Sequence, residues 1–204
     1  MKKITRFFTG LVFLALAHQA GAVTLSLSPS TQTASTGDLI SLDLVIDGLG
    51  DYAPDSLGAF DVDLTYDTNV LTFLDYTLGT SLGDPLLDVF DTSLGDLGGI
   101  IDLAAVSLLI DPADLDALQP SSFTLATLDF SVDLLLIGES TIVSIDTLDQ
   151  FLMMGDALGS DLPIDSVSNA VISNPAVGVP EPGVLALLSL GLLGLGASRK
   201  YKAN

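Results

Sequence analysis

The chain of 204 residues has no cysteine, no tryptophan, one histidine and only six basic residues, against 26 acidic ones. Without cysteine there are no disulfides, no thiolate nucleophile and no Cys-ligated zinc. So few Lys and Arg argue against a nucleic-acid partner, since a phosphate backbone is held by clustered positive charge. The basic residues also stand only at the two ends: Lys2, Lys3 and Arg6, then Arg199, Lys200 and Lys202, with His18 as the lone histidine. Between Val23 and Val179 there is no Lys, Arg or His, while the same stretch holds all 24 Asp and one of the two Glu, Glu139. The middle of the chain is therefore strongly acidic and has no internal counter-ion.

That absence limits catalysis. Nucleophile–base pairs built on His, Cys or Lys cannot form in the middle region, and no Arg is available to clamp a carboxylate or phosphate. Paired carboxylates remain. Asp61 and Asp63 share one face of an alternating segment, about 6.6–6.8 Å apart along a strand, near the separation used by inverting glycosidases. Alternating Asp on a strand reads more simply as a solvated outer face that discourages edge-to-edge association. The sequence predicts a non-enzymatic chain, with no catalytic and no cofactor-binding residues.

The two ends read as addresses. Lys2, Lys3 and Arg6 followed by the apolar run Phe7–Ala17 and the small-residue site Ala20-Gly21-Ala22 have the layout of a secretory signal peptide over residues 1–22, cleaved between Ala22 and Val23. At the other end, residues 175–182 form a linker closing on Val179-Pro180-Glu181-Pro182. The apolar run Gly183–Ala197 and the basic Arg199-Lys200 follow. Fifteen apolar residues in a helix reach only about 22 Å, short of the roughly 30 Å hydrocarbon core, and the positive tail favours the cytoplasmic side. These three parts in this order resemble the PEP-CTERM sorting signal. The resemblance implies an exosortase-type processing enzyme as partner and a C-terminal helix over 183–204 that holds the precursor in the inner membrane. It also implies delivery to the cell surface or extracellular matrix of a Gram-negative bacterium.

The middle reads as a sheet protein. Apolar and polar residues alternate along Val23–Ser28, Leu39–Asp47, Phe60–Tyr66 and Leu128–Leu134, the period of half-buried strands. Val70–Tyr76, Ile100–Leu109, Ser140–Thr147 and Val167–Ile172 are further predicted strands, separated by turn signals such as Gly37-Asp38, Asp47-Gly48, Gly98-Gly99 and Gly138. Asp111 followed by Pro112 predicts a short helix over 112–118. Gly79–Gly99 and Leu148–Pro163 lack clean alternation and read as loops or irregular extra strands. The expected architecture is an all-β, antiparallel sandwich of jelly-roll or immunoglobulin-like type over residues 23–174.

Within that region three segments resemble cohesin-like domains of the broad carbohydrate-binding superfamily. They are the Gly37-Asp38 turn leading into Leu39–Ile46, the strand Gly58–Leu64 closing on Tyr66-Asp67 before Val70-Leu71, and Leu125-Ala126-Thr127-Leu128-Asp129-Phe130. The resemblance implies a sheet face that docks a dockerin-like surface protein. Binding of exopolysaccharide through the same fold is the alternative, and an acidic matrix component the third. For sugar the aromatic supply is thin: Phe60, Tyr66, Phe73 and Phe130 read as core, leaving Tyr52 and Tyr76 as exposed rings. Calcium is the one cofactor the composition leaves open, since the Asp-rich loops 47–55, 84–96 and 111–116 offer hard oxygen ligands. None has an EF-hand or dockerin spacing, and the same Asp residues serve as turn formers, so the sequence names no metal ligand.

Overall fold

A computed structural model describes residues 23–50, 55–148 and 152–176. The signal peptide with Ala20 and Ala22, Tyr52, Val179-Pro180-Glu181-Pro182, the apolar run and Arg199-Lys200 lie outside the described residues. Among the described residues no helix is long and apolar enough to cross a membrane.

The chain runs β1 (Thr24–Ser28), β2 (Thr31–Thr33), β3 (Leu39–Asp47), β4 (Leu57–Thr65), β5 (Leu71–Leu78), β6 (Val89–Asp91), β7 (Gly95–Asp96) and β8 (Ile100–Ser107). It continues through α1 (Pro112–Leu118), β9 (Ser122–Val132), β10 (Ser140–Ile145), β11 (Leu152–Asp156), β12 (Ser166–Ser168) and β13 (Ala170–Ser173). One sheet has the order β12-β1-β3-β9-β5, and the other the order β2-β13-β10-β4-β8-β6. In the second sheet β10 and β11 follow one another along the same edge of β4, and β6 and β7 along the same edge of β8.

Alternation does what the period of two requires. Ile40, Leu42, Leu44 and Ile46 of β3 and Leu128, Phe130 and Val132 of β9 are buried. They meet Phe60, Val62 and Leu64 of β4 and Ile101, Leu103 and Ala105 of β8 in one core. Phe130 stands at its centre, with the rings of Tyr66 and Phe73 edge-on at 5.5 and 5.6 Å, the arrangement the ring quadrupoles favour. The helix forms where Asp111 and Pro112 put it: the Asp111 carboxylate accepts the Ala113 amide at 3.0 Å. At its other end the Gln119 amide clasps the mouth of β4, accepting from Leu57 N–H and donating to the carbonyls of Leu57 and Ser81.

Three expectations need correction. The sandwich is not wholly antiparallel, because β12 runs parallel to β1 and β2 parallel to β13, giving two mixed sheets. Parallel neighbours need a long connection, and each of these pairs joins the start of the domain to its end. Second, Val167–Ile172 is not one strand: it breaks at Asn169, so that β12 joins the first sheet and β13 the second. The Asn169 side chain accepts the Ile145 amide at this crossing. Third, Leu134 is exposed and Leu135 buried. β9 ends at Val132, and the amides of Asp133 and Leu134 both turn to the Val70 carbonyl, so the alternation stops there.

Candidate functional site

The two outer faces of the sandwich differ in chemistry. On the β3–β9–β5 face the carboxylates are matched to hydroxyls: Ser41 donates to Asp129, Thr127 to Asp43, and Thr72 and Ser131 to Asp133. The bonds from Ser131 and Thr72 hold the Asp133 carboxyl below its usual range. This face satisfies itself.

The β4–β8 face does not. Asp61 and Asp63 project from β4, and the register sets Asp63 directly opposite Asp102 of β8 and Asp61 opposite Ala104. One carboxylate oxygen from each of Asp61, Asp63 and Asp102 lies within 4.8 Å of the others. Like charges directly opposite on neighbouring strands repel, and no basic residue exists in the domain to offset them. Asp63 is only 8% exposed, which overturns the expectation of a solvated Asp face at this position. Its Oδ1 is buried and has no hydrogen-bond partner among the described residues. Asp102 Oδ1 accepts the Leu94 amide at 2.8 Å. Burial first, and the Asp102 charge second, push the carboxyls of Asp61 and Asp63 upward, with Asp61 and Asp146 adding to the effect on Asp63.

Around this acidic centre the face is apolar. Val106 and Ile100 of β8, Phe90 of β6, Met153 of β11 and Ile142 of β10 are all exposed. Pairings of Phe90 with Val106, Val106 with Ala59 and Met153 with Asp61 place Phe90, Val106 and Met153 on neighbouring strands beside the carboxylates. A groove of about 770 Å³, lined among others by Asp61, Val106, Met153 and Asp161, crosses the face.

The Asp-rich loops 84–96 and 111–116 behave as turns, and part of loop 47–55 lies outside the described residues. Asp84 accepts the Leu86 amide, Asp96 those of Gly98 and Gly99, and Asp111 that of Ala113. Their oxygens serve the backbone two or three residues on, and the three-carboxylate cluster lies on strands instead. Of its members the alternation identified Asp61 and Asp63 as sharing a face, but Asp102 was not singled out. Ile101-Asp102-Leu103 does carry the alternation signal that places Asp102 on an outer face. Its pairing with Asp63 is set by β4–β8 register, which no local pattern encodes. Among the rings of the described residues, Tyr76 is half-buried and donates to Asp91 at 2.8 Å, while Phe90 is 59% exposed.

Several solved structures share this arrangement of two sheets. The solution structure of CaCohA2 from Clostridium acetobutylicum superposes with a TM-score of 0.57 at 22% identity, covering 79% of this chain and 94% of that one. The fold is cohesin-like. A type II cohesin domain from the cellulosome of Acetivibrio cellulolyticus matches with a TM-score of 0.58 at 18% identity, over 75% of this chain and 95% of that one. The Coh-OlpA–Doc918 type I cohesin–dockerin complex from Clostridium thermocellum gives a TM-score of 0.59 at 10% identity, over 74% and 98%. At these identities the likeness is one of fold. Residues 178–200 match the PEP-CTERM protein-sorting motif, so the cohesin-like domain is followed in the same chain by a sorting motif. No curated protein is significantly similar to the chain in sequence.

Proposed function

We propose that the chain is an exported, non-catalytic docking module whose β4–β8 face binds a protein partner, dockerin-like in role, at the cell surface or in the matrix. The observation that carries this reading is the contrast between the two sheet faces. One has its acids matched to hydroxyls and exposes Leu39 and Leu74, whereas the other gathers exposed apolar side chains from neighbouring strands around three clustered carboxylates, one of which, Asp63, keeps an unpartnered buried oxygen. Soluble monomers rarely leave such a combination uncovered, and an apolar patch with a charged centre is what a specific interface uses. The fold is one in which the OlpA cohesin forms a cohesin–dockerin complex.

In this reading residues 1–22 direct export, with cleavage after Ala22, and residues 23–174 are the docking domain. Residues 175–182 form the linker that carries Val179, Pro180, Glu181 and Pro182, the segment an exosortase-type enzyme would recognise. Residues 183–204 hold the precursor in the inner membrane of a Gram-negative cell, with Arg199 and Lys200 on its cytoplasmic side. The absence of His, Cys, Lys and Arg from residues 23–179 supports a module without catalysis.

A partner for so acidic a domain carries basic residues, so affinity should fall steeply with salt. The test is binding of the purified chain to the host's secreted material, split into protein and polysaccharide fractions, at low and high salt. Saturable, salt-sensitive binding to a defined protein is expected. Binding to polysaccharide alone, indifferent to salt, would overturn the docking reading in favour of exopolysaccharide recognition.

A further inference from the structure

The three carboxylates of the β4–β8 face present a problem of charge that their surroundings do not resolve. Asp61, Asp63 and Asp102 converge within 4.8 Å. Asp63, more than nine-tenths buried, keeps its Oδ1 free of any hydrogen-bond donor among the described residues. Several other acids are answered, Asp43, Asp129 and Asp133 by hydroxyls and Asp84, Asp96 and Asp156 by backbone amides. Within the cluster Asp102 accepts the Leu94 amide, but the buried Asp63 Oδ1 has no donor. Burying a carboxylate without a partner is costly, and such groups pair or coordinate metals. Pairing with a basic side chain of the same domain is impossible, because none exists between Val23 and Val179. The neutralising charge has to come from outside the chain.

We propose that Asp61, Asp63 and Asp102 form a calcium site on the outer face of the β4–β8 sheet. The ligand set is all oxygen, which suits a hard cation and gives no foothold to metals that prefer imidazole or thiolate. Calcium takes oxygens at about 2.3–2.6 Å, so ligands on opposite sides of one ion stand up to about 5 Å apart. The three oxygens lie within 4.8 Å of one another, close enough for one calcium ion to bridge, whereas magnesium demands a near-ideal octahedron that carboxylates fixed on two strands suit less well. Calcium also tolerates irregular shells of six to eight oxygens, and water can supply those the three strand carboxylates do not. Its carboxylates stand on β4 and β8 and not in the Asp-rich loops, although the Leu94 amide of loop 84–96 donates to Asp102, and the site does not depend on what the face docks.

Calcium uptake by the purified full chain in mild detergent, measured by flow dialysis and by thermal unfolding in CaCl2, tests the site. Saturable uptake of one ion is expected, with a dissociation constant on the order of 10⁻⁴–10⁻³ M, the range of extracellular modules. A rise in melting temperature should accompany it that NaCl at matched ionic strength does not reproduce. D63N and D102N should each lose that ion or bind it at least tenfold more weakly, whereas D114N, on the exposed start of α1, should bind as the parent does. D61N gives a third readout if one of the others fails to fold. No saturable uptake up to 10 mM CaCl2, or uptake unchanged in both D63N and D102N, would overturn the proposal and leave a shared proton as the way the cluster is neutralised.

Discussion

Replacing Asp63 by Asn should make the calcium-free protein more stable, although the residue is buried at the centre of a strand. Deleting a buried polar group normally costs stability, because its partners are left unmatched. Here the geometry reverses the expectation, since Asp63 Oδ1 has no partner to lose and its neighbours repel it. Two unit charges 4.8 Å apart repel by about 0.9 kcal/mol in water-like surroundings and by about 3.5 kcal/mol at an effective dielectric of ~20. Both Asp61 and Asp102 contribute, and 4.8 Å is the upper bound on their separations. Set against this, Asn remains a buried polar group with its own desolvation cost. A net gain of about 1–3 kcal/mol follows, which for a domain of about 150 residues corresponds to a melting temperature higher by roughly 2–12 °C. The assay is thermal unfolding at pH 8 with a chelator present, so that the carboxylates are ionised and uncompensated. A lower melting temperature for D63N than for the parent would refute the reasoning, because it would show that the carboxylate is matched by a favourable partner.

Three further predictions follow from the geometry. Gln119→Ala removes an amide that makes three hydrogen bonds to Leu57 and Ser81; leaving those backbone groups unmatched should cost about 2–4 kcal/mol in denaturant unfolding, and a loss below 0.5 kcal/mol would show that water replaces them. Gly79→Ala would bring a Cβ within 2.1 Å of the Thr124 carbonyl oxygen; a shift of backbone is then unavoidable, and a destabilisation of about 1–3 kcal/mol is expected, against none if β5 can slide. Burial first, and then Asp96, push the Tyr66 phenol up to about 12. Because the folded value lies above the ordinary 10, the native state holds this proton more tightly. Its contribution is full below pH 10 and lost as the pH rises from there through about 12. Ultraviolet titration should show a late-ionising tyrosine that disappears in Tyr66→Phe; an unchanged titration in that variant would contradict the assignment.

Much of the fold was legible in local pattern. The alternation along Leu39–Asp47 and Phe60–Thr65 marks β3 and β4 because one face of each meets the core, and Asp111-Pro112 marks α1 because capping chemistry is local. The insert 79–99, read as loop or irregular strand, contributes β6 and β7, strands too short to show a period. The break at Asn169 was hidden because Val167–Ile172 contains no Gly or Pro to mark a turn, while the two halves serve different sheets. The site divides in the same way. Asp61 and Asp63 are two residues apart, so their shared face can be read from spacing. Asp102 reaches them only through the β4–β8 register, and the apolar rim of Phe90, Val106, Met153 and Ile142 is gathered from four strands. An exposed apolar residue in a lone strand looks like a core residue until the sheet is assembled.

The central claim is that the β4–β8 face, and not the β3–β9–β5 face, is the docking surface. The most direct measurement places a photo-crosslinking residue at Val106 on the first face and, separately, at Leu39 on the second, then irradiates each with the partner protein recovered from the secreted fraction. Crosslinking from Val106, abolished by high salt, with none from Leu39, is the predicted result. Crosslinking from Leu39 alone, or equally from both positions, would contradict the account.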